Sequence, residues 1–497
     1  MSVDAYITLG LLTLDRNRPK SLQRQLYESL REYILVGKLP SSTQLPSTRA
    51  LAGQLTVSRN TVVNAFEQLI AEGYLISRAG SGTFVSDELP DTLLTIPTNA
   101  IPQPQIRQNQ AVDLSERGKT LLNMKVRMEK VRPFEPGIPE IKQFPFGIWE
   151  KLLRRHWQQI DPRMLGYNDP CGYLGLRQAI ASYLRSARGV RCSAEQVIIT
   201  SGAQQCIDLA VRLLLDPHDT VWLENPGYRG AWAAFVGNGA QVVPVPIAAD
   251  GFDLQAAIAT NQDANMVNTK MAYVTPSHQY PLGVTMSAAR RLELLAWARE
   301  QSAWILEDDY DSEYRFAGHP LPCLQGLDEA QRVIYIGTFS KVLFPALRLA
   351  YMVVPPHLTD AFRAALHHTS RVTTWVMQRA MADFMNEGHF ARHVRRMRLL
   401  YAERQNLLLT EVERLGLPLE INAEPAGLHV MAWLPEGVND RAVSAELAKR
   451  GVSTSPLSNY SQIPLARGGL VLGFGGYDSA EIRSALAKMV NFGEWHS

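Results

Sequence analysis

Residues 131–497 alternate between short apolar runs and segments with helical periodicity, and this alternation constrains the fold more than any other feature. Six of these runs are QVIITSG, TVWLENPG, MAYVTPSHQ, AWILEDDYD, RVIYIGTFSK and RLAYMVV, and all but the last end in polar residues or glycine. Apolar strands separated by helices are typical of a mostly parallel α/β sheet. Such sheets bind ligands at the carboxyl ends of their strands. The sequence therefore predicts an α/β body with its functional site at that edge.

Composition limits the class of protein. The chain has 497 residues, with 50 Lys+Arg against 48 Asp+Glu, a length typical of about two to four domains. Lys341, Pro345 and Arg348 interrupt the most apolar stretch, so no run reaches the roughly 18 uncharged residues of a membrane span. The N-terminus lacks the pattern of an export signal, and the four cysteines have no metal-ligand spacing. We therefore expect a cytoplasmic protein that binds neither a membrane nor a metal.

The first 86 residues predict a small domain of three helices followed by a hairpin. Residues 21–37 place apolar side chains at helical spacing and end at a glycine, and two short helices capped by Ser47 and Ser58 follow. Two short helices joined by a tight turn form a helix-turn-helix. Residues 74–85 then predict a two-stranded hairpin, or wing.

The exposed start of the third helix carries small polar and cationic groups that suit phosphates and base edges in a major groove. The predicted DNA-binding residues of the helices and the wing are Arg49, Ser58, Arg59, Asn60, Thr61, Arg78, Gly80 and Gly82. The alternative is a small helical domain with a solvated polar face. The ordered segments LPSTRALA, VSRNTVVNAFEQLIAEGYL and GSGTFV resemble the winged helix-turn-helix domain of GntR-type bacterial regulators. This resemblance implies double-stranded DNA as a partner.

Residues 87–130 contain several prolines and the polar run QIRQNQ, with little sustained periodicity. This composition is typical of a linker, and at ~3 Å per extended residue it is long enough to span several tens of ångströms. The predicted domains are therefore a DNA reader over 1–86, a linker over 87–130 and the α/β body over 131–497.

Lys341 is the most informative residue of the body. It lies in the run VIYIGTFSKVLFPALRLAYMVV, where apolar neighbours deprive an ammonium group of solvation. Either a partner neutralises the charge, or the pKa falls and the lysine becomes a nucleophilic amine. A salt-bridged or snorkelling lysine is the ordinary alternative.

Other residues supply the remaining parts of a cofactor site. Ser201, Gly202 and Ala203 lie where a strand meets a helix, so backbone N–H groups face an anion such as phosphate. Arg348 can add a fork of donors and Ser340 a hydroxyl. Each feature alone is more often structural than functional.

The strand that ends in Glu307, Asp308 and Asp309 offers a carboxylate that can keep a heterocyclic nitrogen protonated, and Tyr228 can stack on a planar ring. A phosphate cup, a stacking aromatic ring, an acid for a ring nitrogen and an amine for an aldehyde together describe pyridoxal 5′-phosphate. The sequence therefore predicts this cofactor.

Six motifs resemble the aminotransferase-like (fold type I) domain of the MocR subfamily of GntR regulators over almost all of residues 135–495: YNDPCGYLGLRQAIASYL, IITSGAQQCIDL, ENPGY, VTPSHQYPLGVTMS, ILEDDYDSEYR and GTFSKVLFPALRLAY. The resemblance implies a Schiff base between the cofactor and Lys341, with Asp308 at the pyridinium nitrogen and Tyr310 near the phenolic oxygen. It places Tyr228 on the ring face. Around the phosphate it implies Ser201, Gly202, Ala203, Ser340 and Arg348.

Two positions depart from the catalytic relatives. Where those have asparagine before Pro-x-Gly, this chain has Gln279-Tyr280, so the contact to the phenolic oxygen is expected from His278 or Tyr310. Where aminotransferases carry an arginine for the substrate carboxylate, this chain has Val471. Two arginines elsewhere, Arg229 and Arg467, are the possible substitutes.

A DNA-binding domain joined to a cofactor-binding domain predicts a regulator whose DNA binding responds to a small molecule. One winged module covers only ~600 to 1,000 Å² of protein surface, so specific binding to paired promoter repeats requires a homodimer. The resemblance implies a head-to-tail dimer, and it is closest to the regulators of pyridoxine biosynthesis, for which pyridoxal phosphate is the effector. The alternatives are a regulator that senses an amino acid or amine through the cofactor and an active pyridoxal-phosphate-dependent aminotransferase.

Overall fold

A computed structural model describes residues 12–16, 19–89, 114–122, 124, 132–159, 161–162, 166, 168–263, 269–318, 322–369 and 374–490. The chain divides into two compact units, Met1–Val112 and Asp113–Ser497. Each unit buries a hydrophobic core of its own. Within the described residues, no helix has the length and apolar character needed to cross a membrane.

The first unit contains three helices followed by a hairpin, as predicted. These elements are α1 (Leu22–Leu35), α2 (Thr48–Gln54), α3 (Arg59–Ala71), β1 (Leu75–Arg78) and β2 (Gly82–Val85). Side chains of Ser47 and Ser58 cap α2 and α3 by accepting the backbone N–H groups of Ala50 and Thr61 at 3.2 and 3.1 Å. These caps satisfy N–H groups that the first helical turn leaves without partners. The serines thus fix where each helix begins.

An eight-stranded, mostly parallel sheet forms the centre of the second unit, in the order β3-β10-β9-β8-β7-β4-β5-β6. Only β10 and β6 run antiparallel to their neighbours. The six predicted strands are confirmed as β3, β4, β7, β8, β9 and β10. The strands are β3 (Val197–Thr200), β4 (Thr220–Asn225), β5 (Gln241–Ala248), β6 (Gly251–Phe252), β7 (Thr269–Val274), β8 (Trp304–Asp309), β9 (Val333–Thr338) and β10 (Ala350–Val353).

Helices accompany the sheet, as expected when both of its faces are apolar. Those of the second unit are α4 (Glu116–Leu122), α5 (Phe146–Gln158), α6 (Leu174–Ala187), α7 (Ala203–Leu214), α8 (Arg229–Gly237), α9 (Leu254–Asp263), α10 (Ala288–Glu300), α11 (Leu324–Leu327), α12 (Thr359–Thr369), α13 (Trp375–Asn386), α14 (His389–Arg414), α15 (Asp440–Lys449) and α16 (Ser479–Val490).

A smaller antiparallel sheet, ordered β11-β12-β14-β13, follows α14 in the chain. Its strands are β11 (Glu420–Ile421), β12 (His429–Trp433), β13 (Ser455–Pro456) and β14 (Gly469–Gly473). Residues before α5 join this region, because the N–H of Gly473 donates to the carbonyl of Phe134 at 3.0 Å. Helix α14 holds the same segment. Its Arg404 forms a buried ion pair with Glu140, whose N–H donates to Tyr401 Oη.

The interval predicted as linker contains helix α4. Ser115 Oγ accepts the N–H of Gly118 at 3.1 Å and so starts the helix, while Leu121 lies within van der Waals reach of Gly237 on α8. The sequence predicted a linker here because the prolines of this interval are a stronger signal for irregular structure than one capping serine and one apolar side chain are for a helix. The exact boundaries 1–86, 87–130 and 131–497 stay a prediction.

Candidate functional site

A cavity of about 250 Å³ opens at the carboxyl ends of the parallel strands. Strand ends and the following turns provide most of its wall, and the small sheet and the segment before α5 close it. The lining residues are Pro136, Gly137, Gly202, Ala203, Gln204, Tyr228, Tyr273, Thr275, Tyr280, Asp308, Tyr310, Asp311, Thr338, Ser340, Lys341, Pro345, Arg348, Leu428 and His429.

Lys341 enters the cavity from the turn that follows β9. Its Nζ donates a hydrogen bond to the carbonyl of Gly137 at 2.9 Å. Burial lowers the pKa of Lys341 below its ordinary value, although the carboxylates of Asp311 and Asp308 oppose this effect. A lowered pKa increases the neutral fraction of the amine, which is the nucleophilic form. The structure gives Lys341 no ion-pair partner within 4.0 Å among the described residues, which disfavours the salt-bridged alternative.

Asp308 ends β8 and faces the cavity. Its Oδ2 accepts the hydroxyl of Tyr273 at 2.7 Å, whereas its buried Oδ1 has no hydrogen-bond partner among the described residues. Burial raises the pKa of Asp308 to about 7, against the effect of the Tyr273 hydroxyl. An unpaired buried acceptor is costly, and a protonated ring nitrogen is a donor that would satisfy it and restore the carboxylate. The arrangement fits the predicted cofactor.

Asp309 points to the other side of the strand, as alternation along a strand requires. Its Oδ2 accepts Arg188 Nε at 2.8 Å and the hydroxyl of Tyr335 at 2.6 Å. Asp309 is therefore committed to a separate buried network, and Asp308 is the acid at the cavity.

One end of the cavity suits an anion. Gly202 and Ala203 begin α7, whose first N–H groups have no partners within the helix, and Ser340 and Arg348 line the same cavity. Arg348 has a backbone φ of +51°, in the left-handed region that few residues other than glycine adopt. Such conformations concentrate at functional sites. A Cβ on Gly202 would lie 3.4 Å from Arg348 Nη2, so the glycine keeps this end open.

Ser201 is predicted with this group but does not line the cavity. Its hydroxyl donates to Gln205 Oε1 at 2.9 Å, and its backbone N–H donates to the same atom at 2.7 Å. The side chain thus supports the start of α7, and a direct contact to phosphate stays a prediction.

Tyr310 lines the cavity, and its hydroxyl contacts a buried His278–Asp311 pair. The hydroxyl of Tyr310 lies 3.0 Å from His278 Nδ1, which is also 3.0 Å from Asp311 Oδ2. Burial lowers the pKa of His278, but Asp311 outweighs this effect and raises it above the ordinary value. A protonated Nδ1 carries one N–H, which faces both Asp311 and the Tyr310 oxygen. Donation from this N–H to the Tyr310 oxygen would leave the Tyr310 hydroxyl proton to point into the cavity. His278 itself is not a lining residue and acts on the cavity through Tyr310.

Tyr280, directly before Pro281, occupies the position where catalytic relatives have asparagine. It lines the cavity, and its hydroxyl donates to Tyr460 Oη at 3.1 Å. Gln279 precedes it and is buried. Its Nε2 donates to the carbonyls of Pro226 and Tyr280 at 2.9 and 2.8 Å, so its amide is used within the protein. Gln279 does not line the cavity.

No substitute for the carboxylate-binding arginine reaches the cavity among the described residues. Val471 is buried in an apolar cluster of the small sheet. Arg467 pairs with Glu420 at 2.6 Å, and Arg229 is exposed at the start of α8. Arg348, at the anion end, is the one arginine that the described part of the chain contributes to the wall.

Sequence reasoning missed Gly137, Tyr273 and His429. A tyrosine inside the aliphatic run of β7 was a usable signal for Tyr273, because a buried hydroxyl needs a partner. No local pattern marks Gly137 or His429, which reach the cavity from segments far from Lys341 in the sequence. His429 Nε2 lies 3.2 Å from the carbonyl of Pro281, and burial together with His278 lowers the pKa of His429 to about 3.

The predicted DNA-binding residues lie on the surface of the first unit. All are exposed except Thr61, which is partly buried. Arg49, Arg59 and Arg78 have no carboxylate within 4.0 Å among the described residues, although Arg78 lies over the Phe84 ring at 5.0 Å. The Ser58 hydroxyl is occupied as a helix cap. The arginines therefore offer the uncompensated charge that phosphates require.

Two family models match the chain. The model "Aminotransferase class I and II" matches residues 143–490, and the model "Bacterial regulatory proteins, gntR family" matches residues 22–85.

Curated relatives match along nearly the whole chain. A Rhizobium meliloti protein named "Probable rhizopine catabolism regulatory protein MocR" is 42% identical over 96% of this chain and 95% of its own length. The "HTH-type pyridoxine biosynthesis transcriptional regulator PdxR" of Corynebacterium glutamicum is 32% identical over 96% of this chain and 97% of its own length. Among solved structures, Pyrococcus horikoshii kynurenine aminotransferase has a TM-score of 0.67 and 26% identity, covering 78% of this chain and 98% of that one.

Gly137→Ala tests the approach of the segment before α5 to Lys341. A Cβ at this position would lie 2.6 Å from Lys341 Nζ, so we expect the variant to displace the amine and to weaken binding of pyridoxal phosphate at least tenfold. Gly437→Ala is the matched control, because Gly437 has nearly the same φ (+81° against +79°) with nothing within 4 Å of its Cβ. Cofactor titration followed by visible absorption is the measurement. An equal loss of cofactor affinity in Gly137→Ala and Gly437→Ala would mean that backbone strain, and not contact with Lys341, causes the loss.

His278→Phe tests whether His278 acts through Tyr310. A hydroxyl that donates to an anionic oxygen lowers the pKa of that oxygen, so losing the orientation of Tyr310 should raise the pH midpoint of the bound cofactor's visible band by about one unit. Tyr310→Phe should give a similar rise, and the double variant should rise no further. Additive shifts from the two substitutions would contradict this coupling.

Proposed function

Because the chain belongs to the family of regulators that join a GntR-type DNA-binding domain to an aminotransferase class I and II domain, we propose that pyridoxal 5′-phosphate bound at Lys341 controls its affinity for promoter DNA. The protein is a transcription regulator, and its second unit has the fold of domains that bind pyridoxal phosphate. The observation that carries the proposal is the unpaired Oδ1 of Asp308, which faces the same cavity as a lysine with a lowered pKa.

Four residues of the cavity wall would bind the aldehyde and the ring of the cofactor. Pyridoxal phosphate supplies an aldehyde that can attach covalently to an amine and a ring nitrogen that carries positive charge. Lys341 provides the amine, and Asp308 stabilises the charge on the ring nitrogen. Tyr228 covers a ring face, and Tyr310 directs its hydroxyl proton to the phenolic oxygen.

The phosphate would be bound by the first N–H groups of α7, by the hydroxyl of Ser340 and by the guanidinium of Arg348. Gly202, Ala203, Ser340 and Arg348 all line the cavity, and a Cβ on Gly202 would lie 3.4 Å from Arg348 Nη2. An arginine fork and a helix N-terminus are the donors that phosphate groups prefer.

The charge of the cavity favours the cofactor itself as the effector. The carboxylate of a bound amino acid needs a second cationic group, and Arg348 is already assigned to the phosphate. The described wall offers no other arginine. We therefore propose that the regulator responds to pyridoxal phosphate and controls vitamin B6 biosynthesis genes, as the name of the Corynebacterium glutamicum relative indicates for that protein.

A regulator that senses an amine is the second candidate. The relative with 42% identity is named for rhizopine catabolism, and an amine without a carboxylate would not need a second arginine. The two candidates differ in one result: under the second, pyridoxal phosphate alone leaves DNA affinity unchanged, and an added amine changes it.

We further propose a head-to-tail homodimer on paired promoter repeats. One winged module is too small for specific binding, and two copies on two half-sites double the contact. A regulator that binds the bacterial chromosome acts in the cytoplasm, which is where we place it.

Lys341→Ala tests the effector. With wild-type protein, we expect pyridoxal phosphate to change affinity for the upstream DNA by about 5- to 150-fold, the usual range of coupling between two sites. Lys341→Ala should bind DNA but lose this response and any adduct trapped by borohydride, while the exposed-lysine control Lys270→Ala keeps both. A mobility-shift titration with and without the cofactor measures the effect. A full response from Lys341→Ala would refute the assignment.

Arg59→Ala tests whether the winged helix-turn-helix domain contacts DNA phosphates through Arg59. Removing a phosphate contact should weaken binding to all DNA sequences alike and reduce the slope of log affinity against log salt by about one. Arg299→Ala, which removes an exposed arginine of α10, is the control and should leave both quantities unchanged. Titrations at several salt concentrations measure the slope, and an unchanged slope for Arg59→Ala would move the contact elsewhere.

A further inference from the structure

A second, smaller cavity of about 160 Å³ lies among α6, α14 and the turn after β8. Arg188, Arg315 and Arg398 line it together with Ser312 and Glu313. None of these residues lines the cofactor cavity. We propose that this cavity binds a small tetrahedral oxyanion, either inorganic phosphate or the phosphate group of a small metabolite. Its volume corresponds to about five water molecules, which matches an ion of five heavy atoms.

The cavity has more positive charge than its carboxylates compensate. Arg188 pairs with Asp309 at 2.6 Å, but neither Arg315 nor Arg398 has a carboxylate within 4.0 Å among the described residues. Arg315 Nη2 donates to Thr285 Oγ1 at 3.1 Å, and Arg398 Nε donates to the carbonyl of Glu313 at 2.5 Å. Neutral oxygens thus hold two guanidinium groups at one cavity.

Repulsion between Arg188 and Arg315 also favours an anion at this cavity. Burial lowers the pKa of Arg315 and the neighbouring charge of Arg188 lowers it further, while Asp311 and Asp309 oppose these effects. An anion between the guanidinium groups would remove this repulsion and accept their remaining N–H donors. Arginine is the residue best suited to such planar, forked donation to oxyanions.

Ser312 supplies an independent observation. Its side chain is more than nine-tenths buried, with 6% relative exposure. Its Oγ has no hydrogen-bond partner among the described residues. Buried hydroxyls normally have one, and an exception requires an explanation. A bound oxyanion would accept this hydroxyl and complete its hydrogen bonding.

Glu313 is the one acid among these lining residues, and its state is compatible with an anion. Burial and the nearby Asp309 raise the pKa of Glu313 to about 7, so a large fraction of this carboxyl is neutral near neutral pH. Tyr183 donates its hydroxyl to Glu313 Oε1 at 3.2 Å. A neutral carboxyl does not repel an oxyanion and can itself donate to one.

Arg188 places the second cavity next to the cofactor site. Its guanidinium lines this cavity and also binds Asp309, which is adjacent in β8 to Asp308. The two carboxylates point to opposite faces of the strand, and the two cavities share no lining residue. The oxyanion site is therefore distinct from the phosphate cup at Arg348.

Sulfate is the probe, because its charge is constant over the neutral pH range. Calorimetric titration would use the full chain loaded with pyridoxal phosphate, at ionic strength matched with chloride so that general screening cancels. A parallel titration uses Arg348→Ala, which removes the arginine from the phosphate-binding end of the cofactor cavity. Sulfate that still binds to this variant is therefore not bound at that end, whether or not the cofactor is present. We expect saturable binding of one sulfate per chain in both samples, and competition from inorganic phosphate. Binding that disappears in Arg348→Ala would assign the sulfate to the cup and overturn the proposal.

Two variants localise the ion. Arg398→Ala should weaken sulfate binding at least tenfold, whereas Arg395→Ala, an exposed arginine one turn earlier on α14, should bind as wild type does. Ser312→Ala removes a hydroxyl that has no hydrogen-bond partner among the described residues, so the variant should fold normally. We expect it to bind sulfate several-fold more weakly than wild type. Wild-type affinity in both Arg398→Ala and Ser312→Ala, or no saturable binding by wild-type protein, would overturn the proposal.

Discussion

Burial of the Lys341 amine is the constraint on which the rest of the second unit depends. An ammonium group that leaves water loses solvation, and the protein must replace it or accept a lowered pKa. Here one hydrogen bond that the amine donates to the Gly137 carbonyl replaces part of the lost water, and the carboxylates of Asp311 and Asp308 act from a distance. This partial compensation leaves the amine both available and reactive.

Gly137 reaches Lys341 because the small sheet and α14 hold its segment. Phe134 is bound to Gly473 of β14, and Glu140 is bound to Tyr401 and Arg404 of α14. The amine is thereby fixed by residues that lie immediately after the predicted linker in the sequence.

The cavity combines an aminotransferase framework with two altered contacts. Tyr280 lies where catalytic relatives have asparagine, and its hydroxyl donates to Tyr460 Oη. The position expected for the substrate arginine is the apolar Val471. His278 and Asp311 instead stand behind Tyr310. Among the described residues the cavity retains groups that suit a phosphorylated aldehyde, and Arg348 is the one arginine in its wall.

The sequence by itself determined both architectures and the chemical parts of the site. Helix caps at Ser47 and Ser58, the six apolar strands, Lys341 and Arg348 follow from local patterns, because capping, alternation and strand ends depend on neighbours a few residues away. The choice of Asp308 among the three acids that end its strand follows from the family resemblance. Only the tertiary structure decided that Gly137 holds the amine, that Tyr273 leaves one oxygen of Asp308 unpaired, and that His278 acts through Tyr310. It also brought Arg188, Arg315 and Arg398 to one cavity. These contacts join segments up to hundreds of residues apart, and no local periodicity encodes which buried polar atoms remain without partners after packing.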